Sequence, residues 1–479
     1  MKKQVLILEK ILFGFCFFLF AFIPLYPKFP LLNVVGTFVA IRIEDLLIGS
    51  TVALWLAYLV VNNKVKVHLQ DTLIQAILVF FFIGIVSTLS AIFLTHSVTP
   101  HLSILHFLRR VEFIVLMPVL ITAVKSRKQL IMILLLLFSV ILAVNIYGLG
   151  QVYLDWPVIS TANSEFSKGL ILRLTPDARV NSTFGGHYDL AVFLASALII
   201  MSALFFALKK RIKIFLVLLS GISLLVLTMT AARLSFVAAF AGVVVSLMLT
   251  KNKKYILLLI IGISILLVYP SQLRDRFIST ITVNLFSQGQ RYIGKTVDQR
   301  IRSKLNIPTL AVKTSSISAS TSTFSTSSGV PTDIAPGEPI DSTELGVYRS
   351  FQIRLKIEWP RAILAFIKNP FLGTGYSSID IATDNDFLRS LGEVGLLGTI
   401  ALCLILIEAF KRISSLLKSD NKLIRYFSAG ILSMIIAYLV NGLFIDVFEA
   451  SKVASLFWMM LGLNLAIVNF KRNEIIKHF

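Results

Sequence analysis

The chain alternates long apolar runs with short polar breaks, and most runs approach the roughly 20 residues that a helix needs to cross a bilayer. By that rule about twelve spans are expected, at 9–25, 44–61, 72–94, 105–124, 128–150, 186–207, 213–228, 231–249, 255–269, 387–410, 424–446 and 451–470. The first run has Pro24 and Pro27 behind it and no small-residue cleavage site, so it reads as a retained helix. One polar interruption, 270–386, is far longer than the others. Its first part, 270–313, has mixed charge and weak helical character. The next, 314–345, is low-complexity Ser/Thr-rich sequence carrying Pro331, Pro336 and Pro339. Such a stretch buries too little apolar surface to offset its ordering entropy, and a mobile tether is expected. Order should return in a helix within 346–370, where Ile353, Ile357, Ala362, Ile363 and Phe366 mark one face before Asn369-Pro370 ends it.

The expected fold is therefore all-α, a polytopic bundle with one large external loop. It divides into an N-terminal bundle of about nine helices by the length rule, over 1–269, the loop 270–386, and C-terminal helices with a tail over 387–479. No internal repeat is evident. The 479 residues are 56% hydrophobic and 15% charged with mean hydropathy +0.84, which excludes an ordinary soluble multidomain protein.

Charge adds an orientation. Lys2-Lys3, Lys64/Lys66, Lys125-Ser-Arg-Lys128, Lys209-Lys-Arg-Ile-Lys213, Lys251-Asn-Lys-Lys254, Lys411-Arg412 with Lys418/Lys422, and Lys471-Arg472 lie at the N-terminus and then after every second span. Positive residues in short loops stay cytoplasmic, so both termini are expected inside. The loops 26–43, 95–104, 151–185, 229–230, 270–386 and 447–450 are then external. Long loops cross regardless of charge. The net charge of +21 partly reflects this cytoplasmic belt, whose natural partner is anionic lipid. Basic clusters confined to short inter-span loops, with no binding module, give no reason to expect nucleic acid. Cys16 and Cys403 lie inside apolar runs, so free buried thiols are expected, with no disulfide or metal framework.

The candidate chemistry is a set of arginines at the external boundary: Arg42, Arg109, Arg110, Arg179 and Arg233, then Arg349 and Arg354 in the long loop. An arginine costs about 2.5–3.5 kcal/mol at a bilayer centre on insertion scales and less near a helix end, so each needs a carboxylate or an anionic ligand. Glu44/Asp45 neighbour Arg42 and Glu112 neighbours Arg110, which favours internal ion pairs there. Arg233 follows Thr228-Met-Thr-Ala-Ala with no acidic residue in local reach. A diphosphate would satisfy it, because a guanidinium fork matches phosphate oxygens bidentately. In Arg179-Val-Asn-Ser-Thr-Phe-Gly-Gly-His-Tyr-Asp189, glycines before a helix start could admit a phosphate, or the segment could be a simple cap with Asp189 in the first turn. His187 is a base or an interfacial histidine. Asp384-Asn385-Asp386 reads on sequence grounds first as a helix N-cap and second as a source of a base.

Several of these segments, in order, carry a resemblance. Thr230-Ala-Ala-Arg-Leu-Ser-Phe236, the Arg179 segment, Arg354-Leu-Lys-Ile-Glu-Trp359, Asn369-Pro-Phe-Leu-Gly-Thr-Gly-Tyr376, Asp384-Asn-Asp386 and Glu393-Val-Gly-Leu-Leu-Gly398 resemble the signature of the O-antigen ligase and O-antigen polymerase family. Ala232 stands where that signature has serine, and Asp384 where its ligases commonly have histidine. The resemblance implies a GT-C-like glycosyltransferase of the bacterial cytoplasmic (inner) membrane, taking a glycan from undecaprenyl diphosphate to a glycan, lipid or protein acceptor at the external face. It implies inversion at the anomeric centre without a metal or other cofactor. Arg179, Arg233 and Arg354 would hold the diphosphate, Arg349 would assist, Asn385 would contact substrate, and Asp384 or His187 would activate the acceptor hydroxyl. A polysaccharide flippase or transporter is the rival class, although such proteins more often show repeated halves with broken helices.

Overall fold

A computed structural model of the chain describes residues 2–35, 40–158, 173–174, 178–268, 271–282, 344–379 and 383–477. The Ser/Thr-rich segment for which a mobile tether is expected lies outside these, except for the first two residues of the helix Glu344–Ile353. The described residues form an all-helical bundle whose sheet structure is a single two-residue antiparallel ladder, Leu32–Asn33 against Ala40–Ile41.

Each of the twelve apolar runs falls on a helix. Among the described residues, nine helices are long and apolar enough to cross a membrane. Three expected spans fall short of that test for separate reasons. Arg233–Leu249 has 17 residues, and Tyr255–Val268 has 14 and meets Gln272–Thr282 at a 90° bend. Pro100–Ala123 is long enough but carries Arg109, Arg110 and Glu112.

The surface of the bundle is apolar where a lipid belt would lie, with Phe82, Leu218, Leu257 and Leu258 all more than 60% exposed. Polar side chains pair inside instead: Asn145 donates to Ser223 at 2.8 Å and Ser235 to Asn441 at 2.8 Å. The helix beginning at Ser451 is the centre of the bundle. Cys16 is buried as expected, but Cys403 is exposed, on the outward face of Asp386–Leu416. An apolar run in a membrane protein has a lipid face as well as a protein face, and sequence alone assigned Cys403 to the wrong one.

The two ends of the bundle differ. At one end Lys125 pairs with Glu9, and Arg412 pairs with Asp71 at 2.8 Å. At the other, helices starting at Ile43, His187, Arg233, Asp386 and Ser451 meet the ends of helices finishing at Leu25, Met229 and Asn441. Buried Lys452 ties this second end together, donating to the carbonyl oxygens of Tyr26 and Thr183 at 2.6 and 2.7 Å. Lys28 does the same through Asp189 at 3.2 Å. Arg42 pairs with Glu44 at 3.7 Å, as its local acidic residues lead one to expect, while Arg109 pairs at 3.5 Å with Asp45, distant in sequence. Arg110 pairs with Glu449, distant in sequence, and not with its neighbour Glu112.

The long loop returns to order through Glu344–Ile353, a single wide π turn over Arg354–Glu358, and the helix Trp359–Lys368. Pro360 explains the wide turn, because a proline ring inside a helix collides with the carbonyl four residues earlier. Of the face marked in the sequence, only Ala362 is fully buried. Ile353, Ile357 and Ile363 are exposed. The apolar side of this amphipathic segment faces outward, as an interfacial helix does against lipid.

Candidate active site

The helix that carries the Asp384 segment is anchored by a pair of backbone crossings that the sequence motifs encode separately. Gly373 and Gly395 both have positive φ, +69° and +65°, and each passes so close to the other's segment that a Cβ would sit 2.4 Å from backbone atoms of Glu393 or Phe371. Only glycine fits such a contact. The crossing is sealed by hydrogen bonds from Thr374 N–H to Gly392 C=O and Gly375 N–H to Glu393 C=O, both 2.9 Å, and from Leu396 N–H to Pro370 C=O at 2.8 Å. The Asp386–Leu416 helix is therefore broken at Gly395, and its freed backbone groups are answered by the Gly-Thr-Gly turn.

Toward the start of the same helix, Asp446 accepts the backbone N–H groups of Thr383, Asp384 and Asn385 at 2.9, 3.2 and 3.1 Å. Arg389 donates to the same carboxylate at 3.2 Å and lies 3.3 Å from Glu393. Asp386 reciprocates by accepting Val447 N–H at 2.9 Å. These buried ion pairs fix the 383–386 segment against the 442–450 connection. Asn385 is the true N-cap, its side-chain oxygen accepting Leu388 N–H at 2.9 Å while its amide donates to Leu443 C=O at 3.1 Å. Both ends of the Asn385 side chain thus serve the fold, where the resemblance implied substrate contact.

Asp384 does not cap. It sits at φ +48° with its carboxylate accepting Arg354 Nη2 at 2.5 Å. Burial raises its pKa above the usual carboxylate range, with Arg354 opposing and Asp446 reinforcing. Arg354 also donates to Ser350. The fork of Arg354 faces a cavity of about 210 Å³ that Arg233 and Arg276 also line. Tyr188, Phe351 and Phe444 complete its polar and aromatic wall, and among the described residues no Asp or Glu lines it. Arg233 donates to Arg276 C=O at 3.1 Å and to Thr280, and Arg276 donates to Ala231 C=O at 3.1 Å. Among the described residues neither arginine has a carboxylate in ion-pair range.

Arg276 was not among the expected residues. In the sequence it is one more charge in Arg274-Asp-Arg276, with Asp275 between. Only the 90° bend after Val268 brings its helix back over the start of Arg233–Leu249.

Arg179 stands behind the cavity, near enough to Arg233 and Arg276 to act on both electrostatically. It is buried, and its guanidinium reaches His187 Nε2 at 2.7 Å. A guanidinium can only donate, so the Nε2 lone pair of His187 is occupied. His187 thereby orients Arg179. Asp189, read as a possible cap, pairs with Lys28. Arg349 lies on the Glu344–Ile353 helix, but its side chain is outside the described residues.

The site brings Arg233, Arg354 and Asp384 together with Arg276, and keeps Arg179 and His187 as a neighbouring pair. Its chemistry suits a compact polyanion: guanidinium groups from three separate elements around one space, against an apolar wall. The fold and site define a polytopic helical membrane protein with an arginine-lined cavity at one end of the bundle. No protein-family model matches the chain, and no curated protein matches it.

Proposed function

We propose that the protein is an integral-membrane glycosyltransferase that moves a glycan from undecaprenyl diphosphate to an acceptor hydroxyl at the external face of the bacterial cytoplasmic membrane, as the O-antigen ligase and polymerase resemblance implies. In this reading all twelve apolar helices embed in the bilayer, both termini are cytoplasmic and the arginine-lined end faces outward. The observation that carries it is the convergence of Arg233, Arg276 and Arg354 on one cavity with no acidic residue in its lining among the described residues. Arg233 and Arg276, brought out of water without a carboxylate partner among the described residues, repel each other beside the Asp384-paired Arg354, and a diphosphate offsets that cost while fixing the leaving group of a glycosyl transfer. Phe351, Phe444 and Val237 on the same wall offer apolar contact to the first isoprene units of such a donor.

The transporter reading has less support. Its hallmark is a broken helix whose freed ends face substrate. The break at Gly395 is closed by the Gly373–Gly375 turn and does not line the cavity, and the 90° bend between Tyr255–Val268 and Gln272–Thr282 brings Arg276, Phe277 and Thr280 to the cavity and not the helix ends at the bend.

The test is made in the source cells. Deleting the protein should cause lipid-diphosphate-linked glycan to accumulate on the outer face of the membrane, and Arg233→Ala and Arg276→Ala, expressed at wild-type level, should do the same. A deletion that leaves the lipid-linked pool unchanged defeats the proposal. Accumulation on the inner face would instead support the transporter.

A further inference from the structure

Resting on that reading, we propose that Glu358 is the general base that takes the proton from the acceptor hydroxyl, while Asp384 serves to hold Arg354.

Among the described residues near the cavity, His187, Asp384 and Glu358 could accept a proton, and the geometry separates them. His187 has its Nε2 occupied by Arg179 at 2.7 Å. Asp384 has its Oδ2 engaged by Arg354 at 2.5 Å, so that lone pair is already committed to holding the arginine. Glu358 has a buried Oε2 to which no donor among the described residues is hydrogen-bonded. A carboxylate oxygen buried without a donor is costly to the fold, and such groups concentrate at functional sites.

Its placement suits the task. Glu358 closes the π turn that Arg354 opens, with Trp359 N–H reaching back to Arg354 C=O. One turn thus carries both Arg354, which lines the cavity, and the open carboxylate, which lies behind that lining. Trp359 packs on Phe444, a cavity wall residue, at 5.7 Å between ring centroids. The charged groups that act on Glu358 are Asp384, Arg354, Asp446 and Arg361. Burial pushes the Glu358 carboxyl up to about 7, with Asp384 and Asp446 adding to the shift and Arg354 and Arg361 opposing it. A base near the working pH is the efficient one.

The step balances without a further reactant. The acceptor oxygen forms its bond to the anomeric carbon as its proton passes to Glu358. The bond from that carbon to the diphosphate oxygen breaks, and its electron pair leaves with the diphosphate into the field of Arg233, Arg276 and Arg354. Glu358 then returns the proton to solvent at the membrane face.

The experiment compares wild type, Glu358→Gln and Glu358→Asp, replaced in the source cells at equal membrane levels. Transfer from the endogenous donor is followed in isolated membranes from pH 5.5 to 8.5, and each purified protein is titrated with farnesyl diphosphate as a binding probe. Wild-type transfer should rise to a plateau through about pH 7, the pKa of a partly buried carboxyl. Glu358→Gln should transfer roughly 100-fold or more slowly with that limb gone, bind farnesyl diphosphate as tightly as wild type, and accumulate lipid-linked glycan. Glu358→Asp should restore part of the rate together with a pH limb. Transfer by Glu358→Gln within a few-fold of wild type, or a slow variant that keeps the wild-type pH limb, overturns the assignment of the base. Loss of farnesyl diphosphate binding together with transfer would mark Glu358 as structural and also overturn it. Absence of accumulation even in the deletion strain would instead defeat the glycosyltransferase reading beneath it.

Discussion

Arg354 and Asp384, thirty positions apart, meet at 2.5 Å where the long loop re-enters the bundle. The contact joins the cavity's loop-borne cation to the segment that Asp446 clamps from below. If Asp384 acts through Arg354, the two substitutions should not add. Arg354→Ala and Asp384→Asn should each lower transfer, and the double variant should be no slower than the slower single one. The helix start survives Asp384→Asn because Asn385 is the cap. Rates that multiply in the double variant would show that the two residues act independently.

The sequence made the Arg354 turn and the Asp384 segment legible as pieces, along with the apolar helices, since hydropathy and motif order are local properties. Their meeting was not legible. Nothing local in Gly373 and Gly395 announces that each makes room for the other's backbone, and nothing in Arg276 distinguishes it from other loop arginines before the bend after Val268 folds it back. Glu358 lay inside a recognised motif without an assigned role. The signal that could have singled it out is Pro360, two residues on, which disturbs the helix at that point.

The Gly373 and Gly395 crossing gives a steric prediction. Gly395→Ala places a Cβ 2.4 Å from the Phe371 carbonyl at a φ of +65°. Positive φ alone costs an alanine about 1–2 kcal/mol, and backbone on both sides leaves little room to yield. Thermal stability in detergent should fall by several degrees and transfer should fall with it. An unchanged melting temperature would mean that the two segments do not pass this closely.

Glu358 also predicts how stability depends on pH. Its folded pKa is raised, so the folded state favours the protonated form; the associated stability is present below the ordinary glutamate range, near pH 4, and is lost as pH rises through about 7. Glu358→Gln should therefore be more stable than wild type at pH 8 and show a flatter melting profile between about pH 4.5 and 7. Parallel profiles for the two proteins would place the Glu358 pKa in the ordinary range.

Orientation is tested outside the described residues. Cysteine at Ser325, in the polar interruption that charge patterning assigns to the external side, should react with a membrane-impermeant maleimide in intact spheroplasts of a Cys16→Ser, Cys403→Ser background. Labelling that appears only after lysis would invert the topology and move the arginine-lined end to the cytoplasm.

The central claim is that Arg233, Arg276 and Arg354 hold a lipid diphosphate, and the most direct measurement is equilibrium binding of farnesyl diphosphate and farnesol to the purified protein. The account predicts that farnesyl diphosphate binds far more tightly than farnesol. It also predicts that Arg→Ala at each position weakens only the diphosphate, by roughly 10- to 150-fold for a lost charged hydrogen bond of about 1.5–3 kcal/mol. Arg→Lys should recover little of that, because lysine keeps the charge and loses the fork. Equal affinity for the alcohol and the diphosphate, or three alanine variants that bind the diphosphate like wild type, would contradict it.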